Sequence, residues 1–168
     1  FSWKEGGIYE YAGTPASGYL KKINPFINQY LINKKVIWFD FPHRFQSFGF
    51  QKEKELKNII IFRPENINDA LVAVDNLEYK ILLKKDPLDE YFIVADFPFW
   101  YIVLKGLNQQ ITTKLNYILA LLQQYSENYN IQTLLINELR TDIETGYFRP
   151  YLEYITQNYV FESFFLEK

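Results

Sequence analysis

Gly13 and Gly18 set the first chemical question of this chain. They stand in GIYEYAGTPASGYL, residues 7–20, with the G-x-x-x-x-G spacing of a phosphate-binding loop. In such a loop backbone N–H groups cradle phosphate oxygens, a following Lys neutralises the β- and γ-phosphates, and a Ser or Thr hydroxyl ligates Mg²⁺. Here those two places hold Tyr19 and Leu20. The glycine frame is present without the groups that do the chemistry, and the same residues also read as a plain strand and turn. Lys21 and Lys22 follow directly and are the cations placed to reach back to a phosphate.

Other residues of chemical interest end apolar runs. Asp40 stands next to the end of KVIWFDF, Asp96 next to the end of YFIVADF, Asn137 ends IQTLLIN and Glu138 follows it. A lone carboxylate is a poor Mg²⁺ site when no hydroxyl ligand accompanies it. Asp96 therefore reads first as a buried acid bonded to nearby backbone N–H groups. His43, between Pro42 and Arg44, has the type of a general base but no Ser, Cys or second acid paired with it in sequence, and reads as a surface histidine. Phe97, Phe99, Trp100 and Tyr101 have the type that stacks on single-stranded bases. No basic residue accompanies them before Lys105, which favours core or protein-partner contact.

These residues need elements to position them. Ile8–Tyr11 reads as a strand entering the glycine turn. Apolar runs rich in β-branched and aromatic residues predict further strands over 36–40, 58–62, 91–96 and 131–137. Between them, Leu20, Ile23, Ile27, Tyr30 and Leu31 recur at helical spacing. Pro25 fits best at the first helical position with Asn24 as cap, so that helix should start late and draw its N-terminus away from the glycines. Asn66 should cap a helix with Ile67, Ala70, Leu71, Val74 and Leu77 on one face. Asn108 should open a longer one with Ile111, Leu115, Ile118, Leu119 and Leu122. Residues 43–56, with Lys52, Glu53, Lys54 and Glu55, read as a solvated loop. Residues 141–150 read as polar loop, and the tail, with LEYI and YVFESFF, as a hairpin or two edge strands. Strands alternating with helices imply an α/β fold with a mostly parallel central sheet, flanking helices and a C-terminal antiparallel extension, taken as one domain over 1–168.

Composition narrows the function classes. The 168 residues are 48% hydrophobic and 19% aromatic, with 14 Tyr and 15 Phe, enough for a full core and for aromatic surface use. The formal net charge of -2 leaves no chain-wide electrostatic footprint for nucleic acid or an anionic membrane. With no Cys and one His, disulfides, thiol catalysis, thiolate metal sites and multi-His metal sites are excluded. No apolar run reaches the roughly 18 residues of a membrane span, and no signal peptide is visible, so the expected compartment is the cytoplasm.

Taken in order, the motifs resemble those of the RecA-like recombinase ATPases, nearest to archaeal RadA paralogues, with KaiC-like ATPases sharing the layout. GGIYEYAGTPASGYL is similar to the first strand and phosphate loop, VIWFDFPHRF to the next strand with Asp40 and Phe45 matching, IVADF to the Walker B strand with Asp96 in the acidic place, and LLINELRT to a sensor strand with Asn137 and Arg140 matching. The resemblance implies a RecA-like P-loop fold. It also marks four departures. Tyr19 and Leu20 replace the Lys and hydroxyl, Pro42 stands where a catalytic Glu would activate water, and Glu138 stands where a Gln would sense the γ-phosphate. Losing the Lys removes charge compensation, losing the base removes a factor of roughly a hundred to ten thousand, and an added carboxylate repels phosphate.

The resemblance then implies a pseudo-ATPase with no catalytic residue, no cofactor and no metal, retaining the degenerate loop Gly13, Gly18, Tyr19 and Leu20, the Walker B-like Asp96 and the sensor-like Asn137 and Glu138. It implies an accessory role in homologous recombination or DNA repair. The partner would be a RecA/RadA-family protein or ATP-competent paralogue in a homo- or hetero-oligomer, bound through Tyr19, Leu20, Phe97, Phe99, Trp100 or Tyr101. DNA would bind weakly or through the complex, since residues 141–150, where recombinases carry a second DNA loop, hold Asp142 and Glu144 against Arg149. Two alternatives stay open: a structural subunit of a KaiC- or Elongator-type ring, and a weak nucleotide-dependent switch using Lys21 or Lys22.

Overall fold

A computed structural model describes residues 6–31, 33–50, 56–97 and 99–167, with the side chains of residues 31, 100 and 101 outside the description. Strands β1 (Gly7–Gly13), β2 (Lys35–Asp40), β3 (Ile59–Phe62), β4 (Tyr91–Asp96), β5 (Gln132–Thr141), β6 (Phe148–Pro150) and β7 (Val160–Leu166) build one sheet in the order β3-β2-β4-β5-β1-β7, with β6 on β5. Every pairing along that order is parallel, and only β5–β6 is antiparallel. The fold is α/β with a mostly parallel seven-stranded sheet and flanking helices, as the alternation of apolar runs and amphipathic stretches requires.

The inner strands are buried on both faces, which is why they read as continuous apolar runs. β4 is buried along its whole length. On one face Ile8, Ile37, Phe39, Ile93 and Leu135 meet helix α6 (Gln109–Tyr129) through Leu115, Ile118, Leu119 and Leu122. On the other face Tyr9, Trp38, Val94 and Ile136 meet Tyr19, Ile23 and Ile27, together with Phe45, Phe48 and Phe50 from the segment after β2. Trp38 is the hub there. It makes edge contacts with Phe45, Phe48 and Phe50 at ring separations of 4.9, 4.7 and 5.7 Å, the arrangement that aromatic quadrupoles prefer.

Both asparagine caps form. Asn66 Oδ1 accepts from Asp69 N at the start of α3 (Ile67–Asp75), and Asn108 Oδ1 accepts from Ile111 N at the start of α6, each at 2.9 Å. Leu77 belongs to a separate turn, α4 (Leu77–Lys80).

The glycine loop differs from the expected late helix. A helical turn, α1 (Tyr19–Lys22), begins immediately after Gly18, and α2 (Asn24–Leu31) follows with Pro25 in its first turn. Pro25 interrupts the helix without delaying it, because a missing N–H is harmless at a new helix start. The tail also differs from the expected pair of extended runs. LEYI forms the short helix α7 (Glu153–Thr156) after Leu152 takes a left-handed conformation at φ 54. The antiparallel piece is β6, from the stretch expected to be loop, and β7 joins β1 in parallel. The aromatic-aliphatic run after β4 supplies a helix, α5 (Phe99–Lys105). The charged stretch Lys52–Glu55 lies outside the described residues.

Candidate functional site

The parallel strands bring their carboxyl ends to one edge of the sheet, where open α/β folds place their ligands. Gly13 ends β1, Asp40 ends β2, Asp96 ends β4, and Glu138 lies on β5 opposite Gly13. Asp40 and Asp96 are register partners on adjacent strands, and both are wholly buried. Two buried acids side by side need cations or donors, and the chain supplies both.

Arg44 supplies most of them. Its Nε and Nη2 donate to Asp96 Oδ2 and Oδ1 at 2.8 and 2.7 Å. This two-pronged pairing matches the planar guanidinium to the carboxylate. Its Nη1 donates to the Tyr19 hydroxyl at 3.1 Å and lies 4.0 Å from Glu138 Oε2. The Tyr19 hydroxyl in turn donates to Glu138 Oε2 at 3.4 Å. Asp40 holds the loop that delivers Arg44, accepting from Arg44 N at 2.8 Å and Phe45 N at 3.3 Å, with Arg63 Nε at 3.3 Å as its own cation. Asp40 thus takes the loop-capping role expected of Asp96, and Asp96 binds a side-chain cation instead.

Burial shapes the charge states. It drives the Asp96 carboxyl upward from the ordinary range, against the opposing pull of Arg44. Burial alone would lower the Arg44 guanidinium, but Asp96 outweighs it and holds the group above its ordinary value. Glu138 is raised, again by burial first. Tyr19 is raised strongly by burial, so its hydroxyl stays protonated as a donor.

Tyr19 fills the space beside the loop. It is 3% exposed. A Cβ on Gly13 would lie 2.3 Å from its Cβ and Cγ, so the first glycine of the pair serves the close approach of a tyrosine. The Tyr11 hydroxyl donates to Tyr19 O at 3.1 Å, which ties the ring's backbone to β1. Gly18 turns at φ 67 and accepts at its carbonyl from Lys21 N and Lys22 N. Lys21 and Lys22 are exposed on α1, and Leu20 is half-buried.

The remaining sequence candidates fall elsewhere. Asn137 is buried and knits β5 to its neighbours, donating to Glu10 Oε2 at 3.0 Å and Tyr151 O at 2.8 Å while accepting from Glu138 N at 2.7 Å. Phe97 and Phe99 are core side chains at 3% and 0% exposure, so they pack the chain's own interior rather than a nucleic acid. Trp100 and Tyr101 lie on α5, with side chains outside the description. His43 is exposed in a left-handed turn at φ 55. Arg140 is stacked over the Tyr151 ring at 5.7 Å. Sequence reasoning passed over Arg44 and Arg63. The available signal was that two buried-strand acids, Asp40 and Asp96, require cations, and these arginines each follow a predicted strand.

The sheet and the placement of its edge residues are consistent with a RecA-like fold. No family model matches the chain. A curated protein similar to it is the DNA repair and recombination protein RadB of Methanosphaera stadtmanae, 26% identical over 89 residues, covering 53% of this chain and 38% of that protein. The chain thus spans well under half the length of that relative. The likeness supports the RecA-like superfamily.

Proposed function

We propose that the chain is a RecA-like pseudo-ATPase, an accessory protein of homologous recombination or DNA repair that acts by binding a recombinase or an ATP-competent paralogue. The observation that carries this reading is the bidentate Arg44–Asp96 pair beneath a buried Tyr19. A nucleotide site of this class needs a free carboxylate for the metal shell, a cation for the phosphates and room at the loop. Here Arg44 occupies the carboxylate, Tyr19 occupies the room, and Glu138 adds negative charge beside them. The cation at the site comes from Arg44, while Lys21 and Lys22 face solvent, which disfavours the nucleotide-switch alternative.

The repair context rests on the likeness to RadB, which is named for DNA repair and recombination. Partner binding is the role this reading gives a RecA-like unit whose loop is filled by Tyr19 and whose Asp96 is held by Arg44. The test is titration of the chain into a purified archaeal RadA-type recombinase, followed by light scattering. The reading expects a stoichiometric complex with no nucleotide added. Free mixing without complex, together with phosphate release by the chain alone, would overturn it.

A further inference from the structure

α3 and α4 form one helical rod. Asn76 between them keeps a right-handed helical conformation at φ -80. Asn76 N, Lys80 N and Ile81 N bond back to Val72 O, Asn76 O and Leu77 O, each at 3.0 Å. The inner face of the rod is buried through Ala70, Val74 and Leu77 and packs with Leu115, Ile118 and Leu122 of α6. The outer face of such a helix should be polar. Here it carries apolar side chains. Val72 is 57% exposed and Tyr79 is 67% exposed. Seven residues apart, they stand in line two turns from each other, about 10 Å along the rod. Leu83, 59% exposed, follows at the carboxyl end of the rod. Tyr117 of α6, 49% exposed, borders the rod and donates its hydroxyl to Asp75 Oδ1 at 3.4 Å.

Acids flank this apolar row. Asp69 Oδ2 accepts from Asn66 Nδ2 at 3.3 Å, Asp75 from the Tyr117 hydroxyl, and Glu78 Oε1 from the Tyr129 hydroxyl at 2.6 Å. All three donors are neutral. Among the described residues, none of these three acids enters an ion pair. Their carboxylates are oriented but not compensated. The bonds to Tyr117 and Tyr129 put Asp75 and Glu78 on the flank toward α6, and the helical period puts the exposed Lys80 on the other flank.

This charge pattern selects among partners. Uncompensated carboxylates repel a phosphate backbone and an anionic lipid surface. An apolar row with acids along one side is the counterpart of a helix that carries apolar anchors two turns apart and cations beside them. Tyr79 also has the side-chain type that anchors protein interfaces.

We propose that the outer face of the α3–α4 rod is a docking surface for a cationic amphipathic helix of a partner protein. The apolar anchors of that helix lie on Val72, Tyr79 and Leu83, and its lysines or arginines face Asp75 and Glu78. The rod and Tyr19 belong to the core clusters on opposite faces of the sheet. The proposal therefore rests on neither the nucleotide loop nor the repair reading, and its failure leaves both unchanged.

Fluorescence anisotropy of a labelled synthetic peptide, with leucine on one helical face and lysine on the rest, tests it against the whole chain. A peptide of the same composition in scrambled order is the control. The expected result is saturable binding of the ordered peptide, weakened about tenfold or more by scrambling and by Tyr79→Ala or Leu83→Ala. Asp75→Lys should weaken it likewise, while Glu162→Lys, the same charge change at an exposed position of β7, should leave it within about twofold, since a distant surface charge is screened. Each variant is checked for native circular dichroism. Absence of saturable binding, equal binding of the scrambled peptide, or indifference to Tyr79→Ala would overturn the proposal. Equal weakening by Glu162→Lys would overturn it too, by reducing the effect to net charge. A concentration-dependent dimer of the chain that Leu83→Asp dissolves would assign the face to a second copy instead.

Discussion

Replacing Arg44 by alanine strands the Asp96 carboxyl. In the intact chain Asp96 is wholly buried and takes hydrogen bonds at 2.7 and 2.8 Å from the guanidinium. Removing one partner of a buried ion pair costs about 3–5 kcal/mol, because the remaining charge has been taken from water and loses its compensation. Two features move the cost toward the lower end. The Arg44 side chain is 17% exposed, so its own charge is partly hydrated. The stranded carboxyl also escapes part of the cost by taking up a proton, the direction in which burial already drives it. The expected loss for Arg44→Ala is about 3 kcal/mol. A domain of this length shifts its midpoint by about 2–4 °C per kcal/mol, which gives a fall of roughly 6–12 °C. Thermal unfolding followed by circular dichroism at neutral pH reads this directly. Adding Asp96→Asn to Arg44→Ala removes the stranded charge and should recover more than half of the loss. A loss below about 1 kcal/mol, the level of an exposed pair, would refute the reasoning, as would strictly additive losses across the double-mutant cycle.

Gly13→Ala should destabilise the chain by about 1–3 kcal/mol through overpacking, since the added Cβ lies 2.3 Å from both Cβ and Cγ of Tyr19; combining it with Tyr19→Gly, which removes both atoms, should relieve more of that loss than Tyr19→Ala, which keeps the Cβ, in the same unfolding assay. Glu10 is raised above its ordinary 4.5 by burial, which outweighs its hydrogen bonds from Asn137 and Ser163. An acid raised in the folded state binds its proton more tightly there than in the unfolded chain. Its contribution therefore favours folding below about 4.5 and is lost as pH rises through the higher folded value; Glu10→Gln should flatten that part of the stability–pH curve, and an unchanged curve would contradict the assignment. The pair Tyr19→Lys with Leu20→Thr puts back the residue types of a working loop, yet should not bring back nucleotide binding measured by calorimetry, because Arg44 still holds Asp96.

Much of the fold could be read from local pattern. The continuous apolar runs ending at Asp40 and Asp96 gave buried parallel strands, and Asn66 and Asn108 gave helix starts, because caps and periodicity are short-range signals. The tail resisted because nothing local distinguishes its alternatives. LEYI suits a strand or a helical turn, and Leu152 in a left-handed conformation decides for the turn. β7 could not be assigned a direction from its own residues, since its partner β1 lies at the far end of the chain. The glycine loop was legible as a frame, and the packing of Tyr19 on Gly13 was not, since it depends on a contact made after the turn closes. Arg44 was hidden for the same reason: it meets Asp96 across 52 positions of sequence, and in its own stretch it is one cation beside an exposed histidine.

The central claim is that Arg44 and Tyr19 have taken the place of nucleotide and metal. The most direct measurement is equilibrium binding of a fluorescent ATP analogue to the whole chain in excess Mg²⁺, with Arg44→Ala and Asp96→Ala alongside. The account predicts no saturable binding to the unaltered chain at millimolar nucleotide. Saturable, Mg²⁺-dependent binding that Asp96→Ala abolishes would contradict it.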